Sequence, residues 1–440
     1  MNHSCAIRES QNCSSAKDIS HKSSFLNSKT SWCILACGWM FYLYEYLLRV
    51  SPSVMTEQLM SHFHIMAGSL GVLTSFYYLA YVPLQVPCGI IVDYAGPRVV
   101  VTISALFCVL GSIIFAYADQ LWVAQMGRLF IGAGSACAYM SCLKISSVWL
   151  DPSKFALIAG ISQMMGTLGG ILGNRPLAHL VNTSGWQNAM LYAAVLGVVV
   201  AFIAWLVIKD RPDDVVHSKR NIQSHIMEDL VLIASSKQNI LVGLYGCLTY
   251  LILSAFGELW GVPFLMELYD LNNEVASMGT TAIFLGFAFG SLLSSFFADY
   301  FKSHVKVMKL SAILSLFGFV VAFWIHIPFN VMLGVLFITG VFAGAQVLYF
   351  TVASINSPRH AAATTIGFTN AFVMVSGLIF QPLLGKILDF FWDGSLKAEG
   401  IPNYSVVTYQ YALSSVLLVA SFLAFVLMFF VKETYKKTKQ

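Results

Sequence analysis

Glu45 and Arg49 stand four residues apart in FYLYEYLLRVSPSVM, residues 41–55. On a helix that spacing sets an acid and a base on one face, one turn apart. The run around them, 32–55, is long and apolar enough to cross a bilayer, which takes about 20 residues. A charge at the centre of a membrane costs about 2.5–3.5 kcal/mol on insertion scales, so both groups are expected to face a protein interior. A second acid, Glu258, lies in GELWGVP within the apolar run 239–268, with Trp260 two residues on. Arginine offers a planar fork that fits a carboxylate or phosphate, and an intramembrane acid can hold a cation or a proton. Two readings stay open on these residues. Glu45 and Arg49 brace the bundle by neutralising each other, or Arg49 binds an anionic group of a substrate while Glu45 or Glu258 holds a cationic group or a proton. Tyr42 and Tyr46 lie near the same side.

More polar residues sit at membrane depth. Gln163, Gln346 and Asn370 are candidates for contacting the substrate together with Tyr42, Tyr46, Glu45, Arg49, Glu258 and Trp260. The run 239–268 holds no second arginine, so a phosphate-specific site is not indicated, and one arginine among acids fits a carboxylate-bearing or zwitterionic molecule. Lys144 is near the end of its run and is expected to snorkel to the interface. His62 and His64 flank Phe63 in a loop and read as solvated. The sequence shows no phosphate-binding loop, nucleophile motif, metal cluster or basic nucleic-acid patch, so neither an enzyme nor a cofactor is expected.

The elements that position these residues are plain. Of 440 residues, 58% are hydrophobic and 10% charged, against about 25% charged in soluble domains. The class is all-α integral membrane protein, because β-barrel strands would alternate apolar and polar residues. Twelve apolar runs lie at 32–55, 69–92, 98–118, 121–148, 155–181, 187–208, 239–268, 275–298, 305–326, 329–355, 362–390 and 408–432. The longest polar interruption divides them six and six. The expected organisation is a disordered tail (1–30), a six-helix bundle (31–208), a linker (209–238), a second six-helix bundle (239–432) and a short tail (433–440). The start lacks the apolar core of a signal peptide. With the N-terminus inside, 19 of the 25 Lys and Arg fall in inner segments and only Lys397 in an outer loop, which places both termini in the cytoplasm. The nine cysteines show no disulfide spacing and read as small core residues.

The halves repeat. Asp93, Pro152 and Pro176 return 206 positions later as Asp299, Pro358 and Pro382, and DPSKFA and RPLAHL answer to SPRHAA and QPLLGK. Parallel six-helix repeats are a transporter pattern, with the site between the halves near the midplane.

Two stretches carry a resemblance. In GIIVDYAGPRVV, residues 89–100, Gly89, Asp93, Gly96 and Arg98 fit the G-x-x-x-D-[R/K]-x-G-[R/K]-[R/K] signature of the major facilitator superfamily. Tyr94 replaces a base of that signature, and the second copy keeps Asp299 with nearby basic residues. In GRLFIGAGSACAYM, Arg128, Gly132 and Gly134 fit the family's R-x-x-x-G-x-G pattern. The chain resembles this family from about residue 30 onward, and EYLLRVSPSVM resembles its bacterial metabolite-uptake members, including importers of amino acids or nucleosides in intracellular bacteria.

The resemblance implies twelve helices in two pseudo-symmetric six-helix bundles working by alternating access. It implies a conformational latch at Gly89, Asp93, Gly96, Arg98 and Asp299, and a link between Arg128 and proton coupling, while the residues themselves offer Glu45 or Glu258 as the acid that carries the proton. The glycines of the fifth run lack the proline of the antiporter signature. The expected activity is secondary transport of a small polar metabolite (amino acid, small peptide or organic anion), with protons, by a monomer in the bacterial inner membrane. The alternatives are a drug or siderophore exporter and a receptor that no longer cycles.

Overall fold

The structure is a computed structural model describing residues 29–151, 155–210, 226–357, 361–397 and 400–435. The expected terminal tails lie largely outside these residues, as do Pro152, Pro358 and most of the linker. Twelve crossings follow in order. They are α1 (Lys29–Val54), α2 (Ala67–Ala95), α3 (Pro97–Ala116), α4 (Leu121–Trp149), α5 (Phe155–Leu172, continued by Arg175–Ser184), α6 (Trp186–Val207), α7 (Lys237–Tyr269), α8 (Asn273–Phe301), α9 (His304–Trp324), α10 (Phe329–Ile355), α11 (Thr364–Phe390) and α12 (Val406–Leu427). The linker region is not all loop, because Ile226–Ser235 is a helix. Twelve crossings put both ends of the described chain on one face, here the terminal face.

Each bundle is held by backbone contacts that glycine permits. A Cβ on Gly132 of α4 would stand 2.0 Å from the carbonyl oxygen of Tyr77 on α2. One on Gly290 of α8 would stand 1.9 Å from that of Val341 on α10. So α2–α4 and α8–α10 are equivalent close pairs in the two halves. Within a membrane such small-residue contacts replace the hydrophobic drive that lipid removes. The halves meet along α2–α11 and α5–α8.

Three local breaks shape the centre. In α1, Pro52 has no N–H to give the carbonyl of Leu48, and the helix tightens into the turn Ser51–Val54. In α7, residues Ile252–Trp260 widen into a π-helix just before Pro263, a form that concentrates at functional sites. In α10, Ala345–Val347 tightens into a 3₁₀ turn.

On the face opposite the termini the halves are tied together. The Asp389 carboxylate accepts from the N–H of Gly68 (2.8 Å), and the Tyr404 hydroxyl accepts from Ala67 N–H (3.0 Å). Asn273 Nδ2 donates to the Val54 carbonyl (2.8 Å), and Lys397 Nζ bridges Glu57 (2.8 Å) and Glu267 (3.4 Å). Burial works against the Lys397 charge, yet the two glutamates hold its pKa above the ordinary lysine range.

Some expectations are corrected. Cys88 of α2 and Cys137 of α4 form a disulfide. They lie 49 residues apart, and only the packing of α2 on α4 joins them. Lys144 does not snorkel freely but pairs with Asp93. His62 is half-buried rather than freely solvated, since its ring packs on Trp186 and its Nε2 lies 3.1 Å from the Ala118 carbonyl oxygen. His64 is exposed.

Candidate functional site between the halves

Glu45, Arg49 and Glu258 are 0, 2 and 1% exposed, so all three are enclosed by protein. Arg49 Nε donates to the Tyr77 hydroxyl (2.9 Å), and Nη2 donates to both oxygens of Glu45 (3.1 and 3.2 Å). Tyr77 in turn donates to Glu45 (3.0 Å). This closed triangle lies within the first half. The remaining terminal nitrogen, Nη1, reaches across to the second half, donating to the Tyr250 hydroxyl (3.2 Å) and approaching the Met374 sulfur (3.9 Å). The rings of Tyr46, Tyr77 and Tyr81 surround the guanidinium carbon at 4.4–5.3 Å.

Glu258 is carried by the π-helical segment. It accepts from Tyr250 (3.1 Å) on its own helix and from Tyr78 of α2. Tyr46 and Tyr250 are 3.0 Å apart, oxygen to oxygen. A continuous polar chain therefore runs Glu45–Arg49–Tyr250–Glu258–Tyr78 and crosses between the halves twice.

Arg128 has a local cause. Its Nη1 donates to the Leu48 carbonyl (2.8 Å), which Pro52 leaves without a helical donor, and its Nη2 reaches the Arg49 carbonyl (3.3 Å). It fixes the backbone that carries Arg49.

A narrow cavity lies on the terminal-face side of this chain. Arg49 and Tyr250 line it, with Tyr42, Tyr81, Gln163, Gln346 and Asn370, and Tyr139 stacks on Phe350 at its edge. Of the residues expected to touch substrate, Arg49, Tyr42, Gln163, Gln346 and Asn370 line the cavity. Glu45, Tyr46 and Glu258 stand behind it in the polar chain. Trp260 is packed away, because its indole N–H is taken by the Gln381 carbonyl (3.3 Å). Asn370 Nδ2 donates to Gln85 of α2 (2.7 Å), a further tie between halves.

Sequence reasoning missed Tyr77, Tyr78, Tyr81 and Tyr250. The signal was present, since YYLAY (77–81) puts three hydroxyls in an apolar run.

The expected latch residues lie on the terminal face. Asp93 pairs with Lys144 of α4. Gly96 turns the chain with φ +81°, where a Cβ would strike Asp210. Arg98 N–H donates to Asp210 (2.9 Å), and its side chain donates to the Trp205 carbonyl (2.8 Å). Asp299 accepts from Tyr435 (2.9 Å) instead of a base. Among the described residues nothing lies within 4 Å of a Cβ added at Gly89, so the close helix contact expected there is not seen.

Residues 34–381 match the Major Facilitator Superfamily. Over 82% of this chain and 86% of the other, it is 21% identical to "Membrane sensor protein UhpC" of Salmonella typhimurium. It is 20% identical to a "Probable hexose phosphate transport protein" of Chlamydia trachomatis, over 81% and 85%. The match to "Uncharacterized transporter YybO" of Bacillus subtilis, 26% identical, spans 40% of each chain. In fold it is similar to a bacterial homolog of the human lysosomal transporter Spinster, crystallised inward-facing and unoccupied, with a TM-score of 0.72, 16% identity and coverage of 92% and 96%.

Proposed function

The chain belongs to the major facilitator superfamily of membrane transporters, and from that premise we propose that it carries a small anionic metabolite by alternating access, with Arg49 as the anion-binding group and a proton on Glu258 or Glu45 as the coupling ion. One observation carries this reading. Arg49 has its Nε and Nη2 committed to Tyr77 and Glu45, while Nη1 meets only a hydroxyl and a sulfur and faces the cavity. A carboxylate entering there gains a charge-assisted hydrogen bond.

Charge balance supports the proton. The enclosed groups Glu45, Glu258, Arg49 and Arg128 sum to zero when all are ionised. An arriving anion adds one negative charge in a medium where charge is costly. Protonating Glu258 cancels it and also weakens the acceptor for Tyr78, a tie between α2 and α7. Substrate and proton together thus loosen the centre of the closed side. The Lys and Arg distribution supports cytoplasmic termini, and the bacterial relatives support a bacterial inner membrane.

The test is counterflow and proton-driven uptake of small organic acids in vesicles. Glu258→Gln should keep counterflow and lose accumulation. Equal proton dependence in variant and wild type would remove Glu258 from coupling, and absence of any anion exchange would reject the reading. The likeness to a protein named a membrane sensor supports a second reading, binding without cycling, which ligand binding with no counterflow would select.

A further inference from the structure

Resting on the anion-binding role of Arg49, we infer that the substrate is a hydroxylated monocarboxylate, with its single charge at Arg49 and an uncharged, hydroxyl-bearing body against Gln346, Gln163 and Asn370. Gln346 sits in the 3₁₀ turn of α10, is 1% exposed and lines the cavity. Its Nε2 donates to the Gly246 carbonyl (3.0 Å), while its Oε1 is buried with no donor. The amide cannot turn round without setting oxygen against that carbonyl. A buried acceptor left unmet is unfavourable, and a substrate hydroxyl supplies what it lacks. Gln163 and Asn370 hold the cavity's other amide oxygens, each at a long 3.4 Å from a tyrosine hydroxyl. The pole away from Arg49 is therefore neutral and rich in acceptors.

Two other classes of anion fit poorly. An α-amino acid would carry its ammonium one carbon from the carboxylate, beside the Arg49 guanidinium. The acids that could offset it are committed, Glu45 to Arg49 and Tyr77, and Glu258 to Tyr78 and Tyr250. A phosphate ester dianion needs a second cation. Arg128 is turned to the carbonyls of Leu48 and Arg49, and Lys144 pairs with Asp93.

The experiment measures binding of four probes to the full-length protein in lipid nanodiscs, namely D-gluconate, hexanoate, norleucine and glucose 6-phosphate. Gluconate should bind about tenfold or more tightly than hexanoate and norleucine, as expected where a site built to pair hydroxyls meets analogues without them, and more tightly than glucose 6-phosphate, whose second negative charge finds no cation. Gln346→Leu should erase the preference over hexanoate by weakening gluconate about tenfold or more, with the melting temperature of the variant showing that it is folded. Gln346→Glu, close to the same shape, should weaken both carboxylates by repulsion. If wild type binds hexanoate as well as gluconate, or prefers norleucine or glucose 6-phosphate, this inference falls and the anion site stands. If the folded protein binds no anion, both fall.

Discussion

Replacing Arg49 by lysine separates a binding group from a brace. The guanidinium spans from Tyr77 at 2.9 Å through Glu45 at 3.1 Å to Tyr250 at 3.2 Å. A lysine ammonium keeps its charge near Glu45, but one nitrogen cannot reach both flanking tyrosines. At least one charge-assisted hydrogen bond to a tyrosine is lost, at about 1.5–3 kcal/mol, so the fold loses about that much and still inserts with its charges paired. Binding loses the donor that faces the cavity. A hydrogen bond to a charged group is worth about 1.5–3 kcal/mol, which is about 10- to 150-fold in affinity. Arg49→Ala is different, because stripping Glu45 of its partner costs about 3–5 kcal/mol and should strike folding itself. The assay pairs the melting temperature of purified protein with the substrate concentration for half-maximal counterflow. The expected pattern is a folded Lys variant with much weaker exchange. A Lys variant that exchanges at wild-type affinity, beside an Ala variant that fails to fold, would show that Arg49 only braces α1 and would refute the reasoning.

Asp93 and Lys144 are each about one-third exposed, so their pair is worth about 0.2–1 kcal/mol. Asp93→Asn, Lys144→Gln and the double variant should each change turnover by up to about fivefold, by the same factor, with substrate affinity unchanged. Additive effects would mean that the two residues act separately. Gly132→Ala would drive a Cβ into the Tyr77 carbonyl, which costs at least about 1–3 kcal/mol of overpacking and should lower the melting temperature. An unchanged melting temperature would rule out that close approach of α2 and α4. Glu433 is pushed up by partial burial, but Ser303 and the N–H groups of Tyr435, Thr434 and His304 donate to it and hold its pKa below the ordinary carboxylate range. A depressed pKa means that its stabilising effect is present at neutral pH and is lost as pH falls through that value. The melting temperatures of wild type and Glu433→Gln should therefore differ at pH 7 and converge in acid. A gap that persists in acid would show that the carboxylate charge is not its source.

Much was legible in the chain itself. Continuous apolar runs about twenty residues long admit one solution in lipid, the spanning helix, because only that form satisfies its own backbone. Asp93 and Asp299 end α2 and α8 at matching places, as their common offset indicates. The charges of Glu45, Arg49 and Glu258 could be assigned to the interior because lipid excludes them. Which partner each takes was not legible, since one-dimensional spacing constrains only neighbours on the same helix. It gave Arg49 to Glu45, four residues away, and could not give Tyr250 or Met374, which lie 201 and 325 residues on.

The sequence by itself thus determined the membrane class, the twelve crossings, the duplication and the presence of buried charge, because those follow from composition and period. The tertiary structure alone decided that Trp260 packs away from the cavity, that Cys88 meets Cys137, and that Arg128 joins the Ser51 hydroxyl in donating to the Leu48 carbonyl that Pro52 cannot serve. It also decided that Arg49 turns toward the cavity an edge held only by a hydroxyl and a sulfur. These outcomes depend on how helices far apart in sequence rotate and approach, and that is set by close contacts such as Gly132 on Tyr77, whose partners no local pattern names.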